Sequence, residues 1–353
     1  MYDIGFYMRV NELKKKIEKG AYVDKQSVFD TIEQIRSRKP VIYNIETTNA
    51  CNMTCQMCPR TTRMTRSIST MEQDLFTVIA NQLEPHSPGL WAEWEKFCEK
   101  EYGIPPGSMG ENHFFLYIIP KIIQLHGYGD PLLDKNLGKN IALLTEKGIG
   151  SYFSCNPANI NIERTEEMFR NGLNYLKYSI DSVDDTTHKK IRGKQSDFTG
   201  SYENIKKLLK IKEEKGYKTT IIITMIDLNR TGQQAEFAQL KKAFEGLDVY
   251  IYLKSEDQQW YRKDVHGTNS IHWSEFCKHP WMSMTIKSNG EVVMCMEDFN
   301  NEIILGDATK QSLEEIWNGD LYRQFRFDHI NFRKGFKCNE QCDMNLIGQF
   351  INQ

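Results

Sequence analysis

Residues 49–60 read Asn-Ala-Cys-Asn-Met-Thr-Cys-Gln-Met-Cys-Pro-Arg, which spaces Cys51, Cys55 and Cys58 as C-x3-C-x2-C. This cysteine loop follows a short strand-like segment, residues 41–46. Three thiolates this close together can ligate one metal cluster, and a 4Fe-4S cube needs a ligand on each of its irons. Three cysteines therefore leave one iron open. An open position is typical of catalytic metal sites, because a substrate or cofactor can bind there.

Simpler interpretations fit the cysteine loop less well. A structural zinc site needs a fourth ligand, and the next histidine, His86, lies beyond a predicted helix. A C-x2-C pair alone also occurs in redox dithiols. A disulfide would leave one of the three cysteines unpaired, and nothing marks the chain as secreted. The spacing of all three cysteines favours an iron-sulfur cluster.

Composition and charge exclude several classes of protein. The chain has 353 residues, and its 45 basic and 47 acidic residues give a formal net charge of -2, so we expect no nucleic-acid partner. The first residues lack a signal sequence, and no segment has the roughly 20 apolar residues of a membrane span. We therefore expect no membrane association and a cytoplasmic location. Nine cysteines in such a chain indicate metal ligation rather than disulfides.

Strand-like and helical segments alternate from residue 41 to about residue 265. Strands are predicted at residues 41–46, 121–126, 150–154, 175–181, 219–226 and 249–253, and the main helices at 137–147, 163–171, 202–215 and 235–244. Strands that alternate with helices pair in parallel through right-handed crossovers. We therefore predict an α/β fold, a partial (β/α)6 barrel resembling an incomplete TIM barrel, over residues 41–265. Catalytic groups in such barrels gather at the carboxyl ends of the strands.

Three further segments complete the predicted organisation. Residues 1–40 form an N-terminal helical segment, in which Val10, Leu13 and Ile17 recur at helical spacing. Thr70 and Gln73 are spaced as a capping box that opens a helix through about Leu83. Residues 84–118 form an aromatic-rich insertion, which we interpret as a lid or a partner surface because long ordered loops in compact domains are usually functional. The alternative is a purely structural addition to the fold.

The cysteine loop resembles the signature of the radical S-adenosylmethionine (SAM) superfamily. In that family SAM chelates the open iron, and its reductive cleavage gives a 5′-deoxyadenosyl radical that abstracts hydrogen from a substrate. Four later segments are similar to the family's SAM-contacting segments, although Asp130 stands where glutamate is usual. The resemblance implies SAM contacts from Tyr128, Gly129, Asp130, Asn156, Ser179, Asp181 and Arg192.

Four cysteines follow the barrel, namely Cys277, Cys295, Cys338 and Cys342. Asn289-Gly290 predicts the turn of a hairpin ahead of Cys295. Four cysteines commonly form a structural zinc site. The segment nevertheless resembles the SPASM/Twitch extension of radical SAM enzymes, including its Leu-x-x-Ile-Trp helix at residues 313–317. The resemblance implies a small α+β domain over residues 266–353 whose four cysteines hold one auxiliary 4Fe-4S cluster.

The resemblance implies that the enzyme oxidises a substrate alcohol of the sugar or aminocyclitol type, with the auxiliary cluster as electron acceptor. Glu297 and Asp298 are candidate proton acceptors, and a flavodoxin- or ferredoxin-type protein is the expected reductant. One alternative is maturation of a ribosomal peptide by crosslinking or epimerisation, for which Cys155 is the candidate hydrogen-atom donor. Another is a two-cluster electron-transfer or scaffold protein. SAM-contacting segments argue against the last, because an electron carrier does not need them.

Overall fold

The computed structural model describes residues 1–21, 24–108, 111–255 and 276–331, together with Arg333, Gly335 and Cys338. These residues contain one sheet of nine strands. The strands are β1 (Ile42–Ile45), β2 (Ile122–Gln124), β3 (Gly150–Cys155), β4 (Tyr175–Ser179), β5 (Thr220–Asp227), β6 (Tyr250–Ser255), β7 (Met284–Ile286), β8 (Glu291–Val293) and β9 (Ile304–Asp307).

Helices precede, connect and follow these strands. They are α1 (Ile4–Glu18), α2 (Lys25–Ile35), α3 (Pro59–Thr62), α4 (Gln73–Ala80), α5 (Pro88–Tyr102), α6 (Glu111–His113), α7 (Leu137–Glu146), α8 (Ile162–Arg170), α9 (Asp185–Arg192), α10 (Phe198–Lys215), α11 (Gln233–Ala243), α12 (His279–Met282), α13 (Leu313–Asn318) and α14 (Asp320–Ile330). A π-helical turn, Phe114–Ile118, continues directly from α6. No helix in the described ranges has the length and apolar content of a membrane span.

The strand order β6-β5-β4-β3-β2-β1 follows the chain, and each neighbouring pair among these six strands is parallel. Along β4, Leu176 and Tyr178 pack into the outer core between the strands and the helices. Lys177 and Ser179 alternate with them and face the inside of the curved sheet, where they line a cavity. The predicted partial barrel is therefore confirmed, with two distinct faces to each strand.

The C-terminal hairpin extends this same sheet. Strand β7 pairs in parallel with β1, for example Ile45 with Ile286, and β8 and β9 follow in antiparallel order. The predicted hairpin turn is present, with Gly290 at φ +88°. Sequence patterning treated the hairpin as part of a separate domain, because pairing between strands more than two hundred residues apart leaves no local signal. The predicted boundary at residues 265–266 lies outside the described residues.

The insertion packs against α1 at the amino-terminal ends of the strands. Trp94 is fully buried, donates a hydrogen bond from Nε1 to the Leu116 carbonyl at 2.6 Å, and meets the Tyr7 ring edge-on at 5.1 Å. The buried cluster that contains Trp94 and Tyr7 also includes Ile122, the first residue of β2, and the first residues of β4 and β6 pack against it. The described part of the insertion thus closes the end of the barrel opposite the cysteine loop. These contacts do not support the predicted lid over the cavity, which stays a prediction.

The helix after the cysteine loop begins differently from the prediction. Helix α4 begins at Gln73 with Glu72 as its N-cap, and that cap has no side-chain hydrogen bond. The Thr70 hydroxyl instead lies 2.8 Å from the Thr48 hydroxyl. The capping box is therefore wrong, because Thr70 pairs with the strand-end segment at Thr48 and is drawn away from the helix.

We predict that the insertion is part of the folded core. Leu116 is completely buried in it, so Leu116→Ala should lower the free energy of unfolding by about 2–5 kcal/mol. Leu321 is 62% exposed, and Leu321→Ala should change it by less than about 0.5 kcal/mol. Urea unfolding followed by circular dichroism measures both. Equal, small effects would show that the insertion is only loosely attached.

Candidate active site

A cavity of about 280 Å³ opens at the carboxyl ends of the barrel strands. Eleven of the residues predicted from the sequence line it together. They are Cys51, Cys55, Cys58, Tyr128, Gly129, Asp130, Cys155, Asn156, Ser179, Arg192 and Glu297. The fold therefore brings the cysteine loop and the turns after β2, β3 and β4 to one place, as expected for the functional end of such a barrel.

The cysteine loop is held by the end of α9. Thr54 donates its backbone N–H to the Arg192 carbonyl at 3.1 Å, and Gln56 donates to the Ile191 carbonyl at 2.9 Å. Gly193, at φ +111°, follows directly, and a Cβ there would lie 2.6 Å from the Thr54 hydroxyl. Only glycine suits that position, because both the backbone conformation and the close approach exclude a side chain.

The three thiols fit a cluster. Burial raises the pKa of Cys51 to about 11 and also raises the pKa of Cys58, and the neighbouring Cys55 raises both further. All three cysteines line the same cavity. Metal binding would displace the thiol protons, since thiolates are the ligands. No three His, Cys, Asp or Glu side chains of the described residues converge tightly enough for a single metal ion, and cysteines on different irons of a cube lie farther apart than that.

The turn at residues 127–131 approaches the cysteine loop closely. Asp130 donates its backbone N–H to the Ala50 carbonyl at 2.8 Å. A Cβ on Gly129 would lie 2.2 Å from the Thr48 carbonyl oxygen, well inside contact distance. Glycine at this position is therefore a steric requirement for seating the turn against the loop.

The Asp130 side chain is committed to hydrogen bonds within the protein. Its carboxylate accepts from the backbone N–H of Leu132 at 3.0 Å and of Asn156 at 3.1 Å, and from Asn159 Nδ2 at 2.8 Å. Asn159 also pairs with Asn52 of the cysteine loop. Burial raises the pKa of Asp130 despite these donors. Asp130 thus braces three loops, and whether it also contacts SAM stays a prediction.

Arg192 and Asp181 form a largely buried ion pair beside the cysteine loop. Arg192 Nη1 lies 3.8 Å from Cys55 Sγ, and its buried Nη2 has no hydrogen-bond partner among the described residues. Burial lowers the pKa of Arg192, but the Asp181 carboxylate and Cys55 outweigh it and raise the pKa overall. Asp181 also accepts the Ile226 N–H at 2.8 Å and does not line the cavity. Asp181 therefore acts on the site through Arg192.

The buried carboxylate of Glu46 joins the turn at residues 127–131 to the C-terminal hairpin, and this residue was not predicted from the sequence. Glu46, at the end of β1, accepts hydrogen bonds from Arg66 Nη2 at 2.6 Å, from the Tyr128 N–H at 3.1 Å and from the Ser288 hydroxyl at 3.2 Å. Burial raises its pKa, but Lys287 and Arg66 outweigh burial and lower it overall. Glu46 is therefore charged and fixes the turn against the hairpin.

The two predicted proton acceptors differ in their surroundings. Glu297 lines the cavity, and its Oε2 accepts a hydrogen bond from the Tyr128 hydroxyl at 3.0 Å. The two oxygens of Asp298 accept the backbone N–H groups of Glu302 and Ile303, both at 2.8 Å, and Asp298 does not line the cavity. Glu297 is thus placed to exchange a proton with a bound molecule, whereas Asp298 shapes the following loop.

The cavity lining does not include Cys277, Cys295 or Cys338, the three C-terminal cysteines among the described residues. Burial raises the pKa of Cys277, and repulsion from the nearby Cys295 raises it further. Cys295 and Cys338 both pack against the outer core. Cys342 lies outside the described residues. The effect of Cys295 on Cys277 supports a shared site, and the complete ligand set stays a prediction.

Sequence analysis also missed three basic side chains of the cavity, namely His126, Lys177 and Lys254. The alternation of side chains along a strand could have identified Lys177, because it lies two residues before Ser179 and on the same face of β4. His126 directly precedes the turn at residues 127–131. These residues do not belong to a motif, so only their position at strand ends could have identified them.

Two family models match the chain. That of the radical SAM superfamily matches residues 45–239, and that of an iron-sulfur cluster-binding domain, SPASM, matches residues 277–344. The first match contains the cysteine loop and every predicted SAM contact. The second contains all four C-terminal cysteines.

Known proteins resemble the chain at low identity. S-adenosyl-L-methionine-dependent 2-deoxy-scyllo-inosamine dehydrogenase of Niallia circulans is 20% identical over 284 residues, which are 80% of this chain and 84% of that protein. The structure of anSMEcpe with bound AdoMet has a TM-score of 0.54 at 12% identity, over 86% of each chain. Streptococcus suis SuiB bound to S-adenosylmethionine has a TM-score of 0.52 at 14% identity, over 91% of this chain and 78% of that one. These structures support the fold.

We predict that Gly129→Ala prevents assembly of the first cluster, because its methyl group would collide with the Thr48 carbonyl. Anaerobically reconstituted wild-type protein should hold about eight irons per chain, one cube in each ligand set. Gly129→Ala should retain about four, and so should Cys277→Ala/Cys295→Ala, which lacks the other set. Gly89 has open space around it, so Gly89→Ala should match wild type. Full iron content in Gly129→Ala would contradict this geometry.

Proposed function

This chain belongs to the radical SAM superfamily, and from that membership we propose that it oxidises a secondary alcohol of a small sugar- or cyclitol-type substrate. It is a radical SAM oxidoreductase that uses SAM, a 4Fe-4S cluster and an auxiliary iron-sulfur centre in its SPASM domain. The step from this class to an alcohol substrate rests on the residues of the cavity.

Cys51, Cys55 and Cys58 would hold the SAM-binding cluster, and Cys277, Cys295, Cys338 and Cys342 the auxiliary one. When bound, the clusters supply the electron that cleaves SAM to a 5′-deoxyadenosyl radical and an acceptor for the electron that leaves the substrate. The backbone of the turn at Tyr128 and Gly129, with Asn156, Ser179 and Arg192, would position SAM. Asp130 and Asp181 would hold these groups in place.

The position of Glu297 carries the proposal. Oxidation of an alcohol to a ketone removes one hydrogen atom from carbon and one proton from the hydroxyl group, together with one electron. Glu297 lines the cavity that contains the cysteine loop, and it lies two residues after Cys295 of the auxiliary ligand set. A proton acceptor and an electron acceptor would therefore lie on one short segment, as this reaction requires.

The choice of substrate class has one support. The relative from Niallia circulans is named as a dehydrogenase of 2-deoxy-scyllo-inosamine, a cyclitol. We further expect a flavodoxin- or ferredoxin-type reductant and a cytoplasmic location, because the clusters need a reducing compartment.

One observation favours a second candidate, epimerisation. An epimerase must return a hydrogen atom to a substrate radical, and a thiol S–H can donate it. Cys155 lines the cavity, and burial raises its pKa well above the ordinary value, so it stays protonated. Glu297 would have no proton to accept in that reaction, so the two candidates assign the essential role to different residues.

We predict that wild-type enzyme with SAM, dithionite and 2-deoxy-scyllo-inosamine or related cyclitols yields a ketone and 5′-deoxyadenosine in equal amounts. Glu297→Gln should lower ketone formation by about 10²–10⁴-fold, the usual contribution of a general base, and should still form 5′-deoxyadenosine. Liquid chromatography with mass spectrometry measures both products.

Two control variants complete the experiment. Glu314→Gln removes an exposed carboxylate of α13 and should not change either product. Cys155→Ser should retain ketone formation. If wild type inverts a stereocentre without forming a ketone, and Cys155→Ser abolishes this inversion while Glu297→Gln keeps it, the enzyme is an epimerase and the dehydrogenase proposal is wrong.

A further inference from the structure

His126 offers a fixed hydrogen-bond donor to the cavity. It follows β2 and directly precedes the turn that carries Tyr128 and Gly129, and its side chain lines the cavity. The Asn44 side chain binds its backbone carbonyl, and its ring meets the Tyr152 ring edge-on at 5.2 Å. The Asn44 hydrogen bond therefore fixes the backbone of His126, and the Tyr152 contact fixes its ring.

The tautomer of His126 follows from one hydrogen bond. Ser154 donates its backbone N–H to His126 Nδ1 at 3.1 Å, so Nδ1 is an acceptor and the ring proton lies on Nε2. Burial lowers the pKa of His126 well below its ordinary value, and Lys177 and Lys254 lower it further. Within the described part of the chain Nε2 has no hydrogen-bond partner, and His126 borders the cavity.

The residues on either side of His126 contact the segment that carries the proton acceptor. Gln124, two residues earlier on β2, donates from Nε2 to Met296 Sδ at 3.3 Å. Tyr128, two residues later, donates its hydroxyl to Glu297. His126 stands between these two links and lines the same cavity as Glu297.

Resting on the proposed alcohol oxidation, we propose that His126 Nε2–H donates a hydrogen bond to the substrate oxygen from which Glu297 removes the proton. After the carbon has lost a hydrogen atom, loss of the hydroxyl proton leaves negative charge on that oxygen. A neutral donor stabilises the charge without being able to protonate the oxygen in place of Glu297. Donors aimed at developing charge are most effective in a site that already holds them in position.

Two amide variants separate this role from a structural one. Asn at this position places an acceptor near the position of Nδ1 and lacks the donor at Nε2, whereas Gln places an N–H donor near Nε2 and loses the acceptor for Ser154. His126→Asn should lower kcat for ketone formation by about 10²–10³-fold, with a much smaller change in KM, because the bond strengthens as charge develops. His126→Gln should keep kcat within about tenfold of wild type. A purely structural role predicts the reverse order.

Three measurements keep the outcomes distinct. His126→Asn should retain SAM affinity and 5′-deoxyadenosine formation; loss of either would make His126 a SAM contact and overturn the proposal. His113→Asn, in the insertion, is the matched control and should behave as wild type. Equal kcat values in wild type and His126→Asn would also overturn it. If wild type does not oxidise any alcohol, the proposed function itself fails. That failure is distinguishable from failure of the His126 proposal, which is judged by the kcat values of the two variants in an active enzyme.

Discussion

The buried carboxylate of Glu46 holds together the segments that build the candidate active site. It binds Arg66, the backbone of the turn at Tyr128 and the hairpin at Ser288, so three segments far apart in sequence meet at one charge. Removing one partner of a buried charged network is costly, since the remaining charge loses its compensation. The cysteine loop, the turn beside it and the C-terminal hairpin are therefore parts of one body.

This connection has a chemical consequence. Because β7 pairs with β1, the hairpin that leads to Cys295 and Glu297 joins the sheet beside the strand that precedes the cysteine loop. The hydroxyl of Tyr128 then links Glu297 to the turn that approaches the loop. Radical generation, proton removal and electron removal would thus occur around one cavity. Groups held in place before the reaction need little reorganisation as it proceeds.

Sequence reasoning succeeded where the signal was local. Cysteine spacing, the alternation of strands and helices and the Asn289-Gly290 turn depend on neighbouring residues, and the fold followed from them. It failed where long-range contacts decide the outcome. The pairing of β7 with β1, the burial of Glu46 and the tautomer of His126 each depend on residues distant in sequence. Alternation predicted that Asp181 shares a strand face with Ser179, but β4 ends at Ser179, and Asp181 forms its ion pair with Arg192 outside the cavity lining.

In the proposed reaction the radical removes hydrogen from a carbon that bears a hydroxyl group. A cyclitol deuterated only at that carbon tests this step, with mass spectrometry of the 5′-deoxyadenosine formed under single-turnover conditions. We expect the deuterium to appear in 5′-deoxyadenosine and to be absent from the ketone. Unlabelled 5′-deoxyadenosine, with the deuterium still on the product, would contradict it.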